Sequence, residues 1–177
     1  MGKIIAAVRS NEDFLAALSS DVSIIFHIAP DIHSIGEWAE RAHKSGKRLF
    51  IHMDLATGIG KDKSGILFAK ALGIDGILST KAAVIHAAKE CGVFAVQRFF
   101  LMDSHSVDTI LTAVTQTKPD MIELMPGIVP KIITKIATQT NRPVIAGGLV
   151  ETEAEVKDIL SSGAAAISTG KKELWRR

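Results

Sequence analysis

Two glycine-containing segments near the end of the chain have residue types suited to anion binding. Pro143–Val150 and Ala164–Lys171 are each a short apolar run that ends in small residues and leads directly into a predicted helix. Glycines let backbone N–H groups approach ligand oxygens, and a helix N-terminus faces such oxygens with a favourable partial charge. The pair therefore predicts a site for a small phosphorylated ligand. The candidate phosphate-binding residues are Gly147, Gly148, Ser168, Thr169 and Gly170.

A second group of polar residues falls at or just after the ends of other predicted strands. Glu123 lies between Ile122 and Leu124, so strand alternation turns it away from the apolar face and towards the interior. A buried carboxylate needs a partner, which one of the nearby cations could supply. A structural ion pair and a hydroxyl-binding role both remain open for this side chain. The group comprises Arg9, His52, Asp54, Lys81, Arg98 and Glu123.

His52 and Asp54 share a strand face at a two-residue spacing, which is compatible with metal ligation. Together with His27 and Glu123 they could be assembled into a metal site. Neutral histidines that are hydrogen-bonded to carbonyls or carboxylates are far more common, so we assign no metal. The chain also lacks a nucleophile motif or a clear acid and base pair, so we assign no catalytic residue.

The elements that must position these residues alternate regularly. Short β-branched segments are followed by amphipathic segments along the entire chain, which is typical of βα units and a parallel sheet. Eight such units close into a (β/α)8 barrel of the TIM type, whose functional groups lie at the carboxyl ends of the strands. The predicted strands are Ile4–Val8, Val22–Ile28, Arg48–Met53, Gly76–Ser79, Phe94–Phe99, Met121–Met125, Val144–Gly147 and Ala165–Thr169.

The length of 177 residues predicts a single barrel domain over residues 1–177. Because typical barrels of this type have ~250 residues, we expect short loops and some helices reduced to turns, most of all the segment after the first strand. The competing architecture is an open, doubly wound sheet. Its glycine-rich fingerprint would follow the first strand, where this chain has Val8–Asn11 instead.

Composition narrows the classes of function. The formal net charge is +2, and no segment approaches the roughly 20 apolar residues that a membrane span requires. The chain start lacks the apolar region of a signal peptide, so we expect a cytoplasmic protein with no membrane partner. The oligomeric state stays open, and a homo-oligomer is compatible with the sequence.

A basic tail is the exception to this mild charge. Its four cations surround Trp175, and two interpretations remain open: a solvated terminal helix that caps the barrel, or a patch that contacts RNA. The first two cations also stand at the start of a closing helix predicted at Lys172–Trp175, where a bound anion would offset their unfavourable interaction with the helix dipole. The candidate RNA-binding residues are Lys171, Lys172, Arg176 and Arg177.

Several consecutive motifs, in order along nearly all of the chain, carry a resemblance to a known family. In these segments the sequence resembles the bacterial glycerol uptake operon antiterminator, the glycerol-3-phosphate-responsive regulator of glycerol catabolism. The motifs are Ile51–Leu55, Gly58–Asp62, Gly76–Lys81, Gln97–Ser104, Glu123–Gly127 and Ala146–Leu149.

The resemblance implies a barrel that senses glycerol 3-phosphate as its effector, without a further cofactor, and binds the leader of a messenger RNA to prevent early termination of transcription. It also implies that the two glycine-containing segments cradle the phosphate and that the strand-end group lines the rest of the barrel mouth. Composition does not itself show RNA binding, since aromatics are 5% and tyrosine is absent. Two alternatives stay open: a phosphate-anchored isomerase or lyase that acts on a small phosphosugar with Asp54 or Glu123 as base, and a phosphosugar-binding module with a protein partner.

Overall fold

Eight short segments pair in sequence order in the computed structural model of the chain, which describes residues 4–176. All neighbours are parallel, and the first strand also pairs with the last, so the sheet closes into a barrel. This confirms the predicted TIM-type (β/α)8 fold. The strands are β1 (Ile4–Val8), β2 (Ile24–His27), β3 (Arg48–His52), β4 (Gly76–Ser79), β5 (Phe94–Phe100), β6 (Met121–Met125), β7 (Val144–Gly147) and β8 (Ala166–Thr169).

Seven α-helices follow the first seven strands. No helix among the described residues is both long enough and apolar enough to cross a membrane. The helices are α1 (Asn11–Leu18), α2 (Ile35–Lys44), α3 (Lys63–Ala71), α4 (Ala82–Glu90), α5 (Ser106–Thr117), α6 (Pro130–Gln139) and α7 (Glu153–Ser161).

The expectation of a shortened first helix is wrong. α1 is a full helix because Ser10 and Asp13 form a capping box, in which each side chain accepts a hydrogen bond from the other residue's backbone N–H. The shortened element is instead the last one, a single 3-10 turn at Lys172–Trp175. The barrel therefore has no α-helix N-terminus after β8, and the dipole argument for Lys171 and Lys172 does not hold.

Strand alternation separates the apolar side chains into an inner and an outer layer. Inward-facing residues such as Phe26, Phe50, Leu78 and Ile145 fill the barrel. The outward-facing set packs beneath the helices in two larger clusters. Glu123 is fully buried and bonds to side chains inside the barrel, as its place between two outward-facing apolar residues predicts.

His27 lies in the outer layer and not at the mouth of the barrel. Its ring stacks on Trp38 of α2 with a centroid separation of 4.0 Å, and Trp38 stacks in turn on Phe14 at 4.1 Å. His27 therefore cannot join His52, Asp54 and Glu123 in one metal site. Burial lowers the pKa of His27 to about 4, so the ring is neutral at physiological pH.

We expect this buried histidine to contribute to acid denaturation. In the unfolded chain the pKa of His27 is near 6.5. As the pH falls from about 6.5 towards 4, the unfolded state therefore binds a proton that the folded state does not bind. Stability is lost over that window, by up to about 3 kcal/mol for this residue at about 1.4 kcal/mol per pKa unit. The variant His27→Phe keeps an aromatic ring stacked on Trp38. Its free energy of unfolding, measured by urea titration, should decrease less between pH 7 and pH 4.5 than that of the natural chain. Equal acid losses in the two proteins would contradict this account.

Candidate ligand site at the mouth of the barrel

A cavity of about 280 Å³ opens at the carboxyl ends of the strands. It lies between the turns that follow β7 and β8 and extends across to β1, β2, β5 and β6; we refer to it as the mouth cavity. Its volume is slightly below the 300 to 1,000 Å³ typical of pockets for drug-sized molecules, which suits a small ligand. Of the residues predicted from sequence, those in its lining are Arg9, Arg98, Gly148, Ser168, Thr169 and Gly170.

The floor of the cavity is held by a buried ion pair. Arg98 Nε on β5 donates a hydrogen bond of 2.6 Å to Glu123 Oε2 on β6, and both side chains are at least nine-tenths buried. Ser168 Oγ on β8 donates to the other carboxylate oxygen. The structural ion pair that the sequence offered as one role for Glu123 is therefore formed, and each of its carboxylate oxygens accepts a hydrogen bond from the protein.

Gly147 makes this network possible although it does not line the cavity. β7 separates β6 from β8, so the link between Glu123 and Ser168 must pass over the backbone of Gly147. A Cβ atom at this position would lie 2.5 Å from Ser168 Oγ and 2.6 Å from Glu123 Oε1, which is closer than real atoms approach. Only glycine leaves room for a carboxylate and a hydroxyl to meet here.

The cavity has a positive electrostatic character. Nε is the one side-chain nitrogen of Arg98 with a hydrogen-bond partner among residues 4–176, which leaves the two terminal nitrogens of its guanidinium for a ligand. The side chain of Arg9 also lines the cavity and has no partner in the described part of the chain. Guanidinium groups with free N–H donors are suited to phosphate and carboxylate recognition.

The turn after β7 has an unusual backbone. Gly148 and Leu149 both have positive φ, 75° and 61°, and the leucine side chain is 63% exposed at the edge of the cavity. Left-handed backbone is costly for a bulky residue and is concentrated at functional sites. Thr169 Oγ1 donates to Val150 O at 2.9 Å, so the turns after β7 and β8 are tied together.

His52 is the most unusual polar group near the cavity. The residue is 5% exposed, and neither ring nitrogen has a hydrogen-bond partner among the described residues. Burial lowers its pKa to about 4; the positive charge of Arg98 adds to this, and Asp54 opposes it. A neutral histidine carries one donor and one acceptor, so His52 can bond to a ligand hydroxyl in either sense.

Asp54 is occupied by the protein and organises the loop after β3. Its carboxylate accepts hydrogen bonds from Ser79 Oγ, from Thr80 N at 2.7 Å and from Thr80 Oγ1 at 2.8 Å. Burial alone would raise the pKa of Asp54, but these hydrogen bonds outweigh it and hold the pKa below its ordinary value. Its Oδ2 lies 3.6 Å from His52 Nε2.

The structure places Lys81 outside the mouth cavity, because this residue is exposed beyond the end of β4 and does not line it. Thr169 does line the cavity, although its hydroxyl donates to Val150 O and so ties the two turns together. Sequence reasoning did not select Asp13 or Leu149, which line the cavity. The capping-box spacing from Ser10 was a signal for Asp13, whereas nothing in the sequence marks the backbone of Leu149.

Within residues 4–176, no three His, Cys, Asp or Glu side chains are grouped so that they could hold a metal ion.

Two cations of the basic tail lie near carboxylates. Lys172 Nζ lies 2.8 Å from Glu12 and 2.9 Å from Asp13, and these hydrogen bonds raise the pKa of the lysine. Lys171 Nζ lies 4.0 Å from a carboxylate oxygen of Glu173. Arg176 is exposed, and Arg177 lies outside the described residues.

Comparison with known proteins identifies the family. Residues 4–175 match the model of the family described as glycerol-3-phosphate responsive antiterminator. The chain belongs to that antiterminator family. The match spans β1 to the final 3-10 turn, so every strand that contributes to the mouth cavity lies within the antiterminator homology.

Relatives of known sequence or structure agree with this antiterminator assignment. The glycerol uptake operon antiterminator regulatory protein of Listeria monocytogenes is 33% identical and superimposes with a TM-score of 0.91, covering 98% of this chain and 94% of that one. A glycerol uptake operon antiterminator-related protein of Thermotoga maritima is 36% identical, with a TM-score of 0.87 and coverages of 97% and 96%. The uncharacterized protein YgcP of Escherichia coli is 35% identical over 173 residues, which are 97% of this chain and 91% of YgcP.

The ion pair at the floor gives a direct test of this antiterminator's architecture. Glu123→Ala leaves the guanidinium of Arg98 buried without its partner, so we expect the free energy of unfolding to fall by about 3 to 5 kcal/mol. The matched control is Glu37→Ala, which removes an exposed pair with Arg41 on α2 and should cost less than about 1 kcal/mol. Urea titration measures both values. A loss of similar size in the two variants would show that the barrel does not depend on the buried pair.

Proposed function

We propose that this chain is a transcription antiterminator that binds glycerol 3-phosphate in the mouth cavity and, in response, binds the leader of a messenger RNA. The observation that carries the ligand assignment is the small cavity between the two final turns, which is lined by two arginines whose terminal guanidinium nitrogens have no hydrogen-bond partner within residues 4–176. Family membership supports the regulatory role and the identity of the effector.

The phosphate end of the ligand would lie against the turns after β7 and β8. Gly148 and Gly170 place backbone without side chains at the cavity wall, and Arg9, which follows β1, and Arg98, on β5, supply guanidinium donors. Asp13 also lines the cavity, but its charge is offset by the ion pair with Lys172. The guanidinium donors of the cavity therefore favour an anionic group.

The glycerol end would lie towards His52. This ring is close enough to Arg98, Arg9 and the Ile28 backbone for each to influence its pKa, and all three residues line the cavity. In the protein without ligand, a buried donor or acceptor that has no hydrogen-bond partner lowers the stability by about 1 to 3 kcal/mol. A ligand hydroxyl that pairs with the ring removes this cost, so the orphaned histidine favours a polyol over a purely apolar ester.

We propose that the site binds this ester without converting it. Glu123 is held by Arg98 and Ser168, and the hydrogen bonds from Ser79 and Thr80 lower the pKa of Asp54, which makes that carboxylate a weaker base. The two carboxylates that an isomerase or lyase would use are thus already engaged in holding the mouth together. Turnover of a small phosphosugar that is lost in Asp54→Asn would favour the enzyme alternative.

Ligand binding should depend on Arg9, which lines the mouth cavity, and not on Lys81, which lies outside it. Charge-assisted hydrogen bonds contribute about 1.5 to 3 kcal/mol each, so we expect Arg9→Ala to weaken glycerol 3-phosphate binding at least tenfold. Lys81→Ala removes the same charge from the mouth without altering the cavity lining, and should bind within twofold of the natural chain. Calorimetric titration gives the affinities. In thermal unfolding, the natural chain should be stabilised by about 2.7 kcal/mol when glycerol 3-phosphate is present at 100 times its dissociation constant. Equal losses in both variants would place the phosphate elsewhere.

The regulatory role is tested with the leader transcript of a glycerol-catabolism operon. We expect the protein to retard this RNA in a native gel only when glycerol 3-phosphate is present, because the ligand shifts the population towards an RNA-binding form. The salt concentration must be held low and constant, since phosphate contacts weaken steeply with salt. A transcript of equal length without the leader sequence is the control. Retardation that is independent of the ligand, or none at all, would contradict the proposed function.

A further inference from the structure

α6 packs beside α5, and the segment that contains α6 carries positive charge and no carboxylate. No aspartate or glutamate occurs from Leu124 to Val150, and this stretch contains Lys131, Lys135 and Arg142. Their charged groups have no hydrogen bond or ion pair within residues 4–176. Lys172 of the basic tail differs in this respect, since its ammonium group is paired with two carboxylates.

A groove between these two helices has the mixed character that a nucleotide requires. It encloses about 330 Å³ at the end where both helices finish, and we refer to it as the α5–α6 groove. Leu111 and Val114 give it an apolar floor, and no carboxylate lines it. The polar residues around this floor include Lys118, Gln139, Asn141 and Arg142.

The polar groups of the groove are free to bind a partner. The side-chain amides of Gln139 and Asn141 have no hydrogen-bond partner in the described part of the chain, and neither have the charged groups of Lys118 and Arg142. Amide side chains can bond to the edges of unpaired bases, and lysine and arginine neutralise backbone phosphates. No carboxylate competes with phosphates for the two cations, and the apolar floor formed by Leu111 and Val114 can pack against the face of an unpaired base.

The same two helices are connected to the mouth cavity through backbone hydrogen bonds. Gly127 N, in the loop before α6, donates to Gly148 O at 3.1 Å. Leu101 N, in the loop before α5, donates to Met125 O at 2.8 Å. The turn that would hold the ligand phosphate is therefore linked in series to the loops from which both groove helices start.

We propose that the α5–α6 groove is the surface that binds single-stranded RNA, with Lys118 and Arg142 on the phosphodiester backbone and Gln139 and Asn141 at base edges. This rests on the proposed function, in that glycerol 3-phosphate in the mouth cavity sets the relative position of the two helices. It replaces the basic tail as the RNA-binding surface.

The test compares two double variants that lose equal charge. Lys118→Gln with Arg142→Gln removes the groove cations, and Lys44→Gln with Lys157→Gln removes two exposed cations that line neither the mouth cavity nor the groove. With saturating glycerol 3-phosphate, we expect the groove variant to bind the leader RNA at least tenfold more weakly than the natural chain. In a plot of the logarithm of the association constant against the logarithm of the salt concentration, the slope is negative. Its magnitude should decrease by about 1.4, which is about 0.7 for each lost phosphate contact. The control variant should change both quantities much less.

The outcomes separate this inference from the function on which it rests. If the natural chain fails to bind the leader RNA with ligand present, the proposed function fails. If the natural chain binds and the groove variant binds equally well, only the groove assignment is overturned. Lys171→Gln with Lys172→Gln should retain RNA affinity, and a loss confined to that variant would return the RNA surface to the tail.

Two further measurements keep the result interpretable. The groove variant should retain the thermal stabilisation by glycerol 3-phosphate, which shows that it is folded and that its mouth cavity is intact. Read-through of the terminator in a purified transcription reaction should fall in parallel with RNA affinity. Full RNA affinity combined with lost read-through would mean that the groove contacts a protein of the transcription machinery, and would also overturn the assignment.

Discussion

The buried ion pair between Arg98 and Glu123 is the interaction on which the site depends. It joins β5 to β6. Ser168 on β8 also donates a hydrogen bond to Glu123, and this contact is possible because Gly147, on the strand between them, has no side chain. Because the carboxylate compensates the charge of the arginine, a buried guanidinium can be kept at the floor of the cavity. Its two terminal nitrogens then present fixed donors to a ligand, with little reorganisation on binding.

The architecture was predictable because its signals are local. Strand alternation, glycines after helices and the β-branched segments together give eight strands within a few residues of their observed limits, and alternation alone puts Glu123 inside the barrel. The first helix was underestimated, although the capping box at Ser10 and Asp13 was present in the sequence.

The parts that were not predictable depend on contacts between distant segments. His27 and His52 both stand near strand ends, yet one stacks on Trp38 of a helix and the other faces the mouth, because they fall on opposite sides of the pleat. Four cations in the tail suggest a basic patch until Glu12 and Asp13, some 160 residues earlier, are brought beside Lys172. Net charge along the sequence does not reveal which cations are compensated in the fold.

The position of Trp175 provides an intrinsic optical reporter. Its indole Nε1 donates to Thr169 O at 2.9 Å, one residue from both Ser168 and Gly170 in the cavity wall. The chain has two tryptophans and no tyrosine, and the other tryptophan, Trp38, is stacked between Phe14 and His27 under the helices. The intrinsic tryptophan fluorescence of the unlabelled protein therefore comes from one indole that is hydrogen-bonded to the cavity wall and one that is remote from it. A change in the emission spectrum when an effector is added would report a change in the environment of Trp175 at this wall.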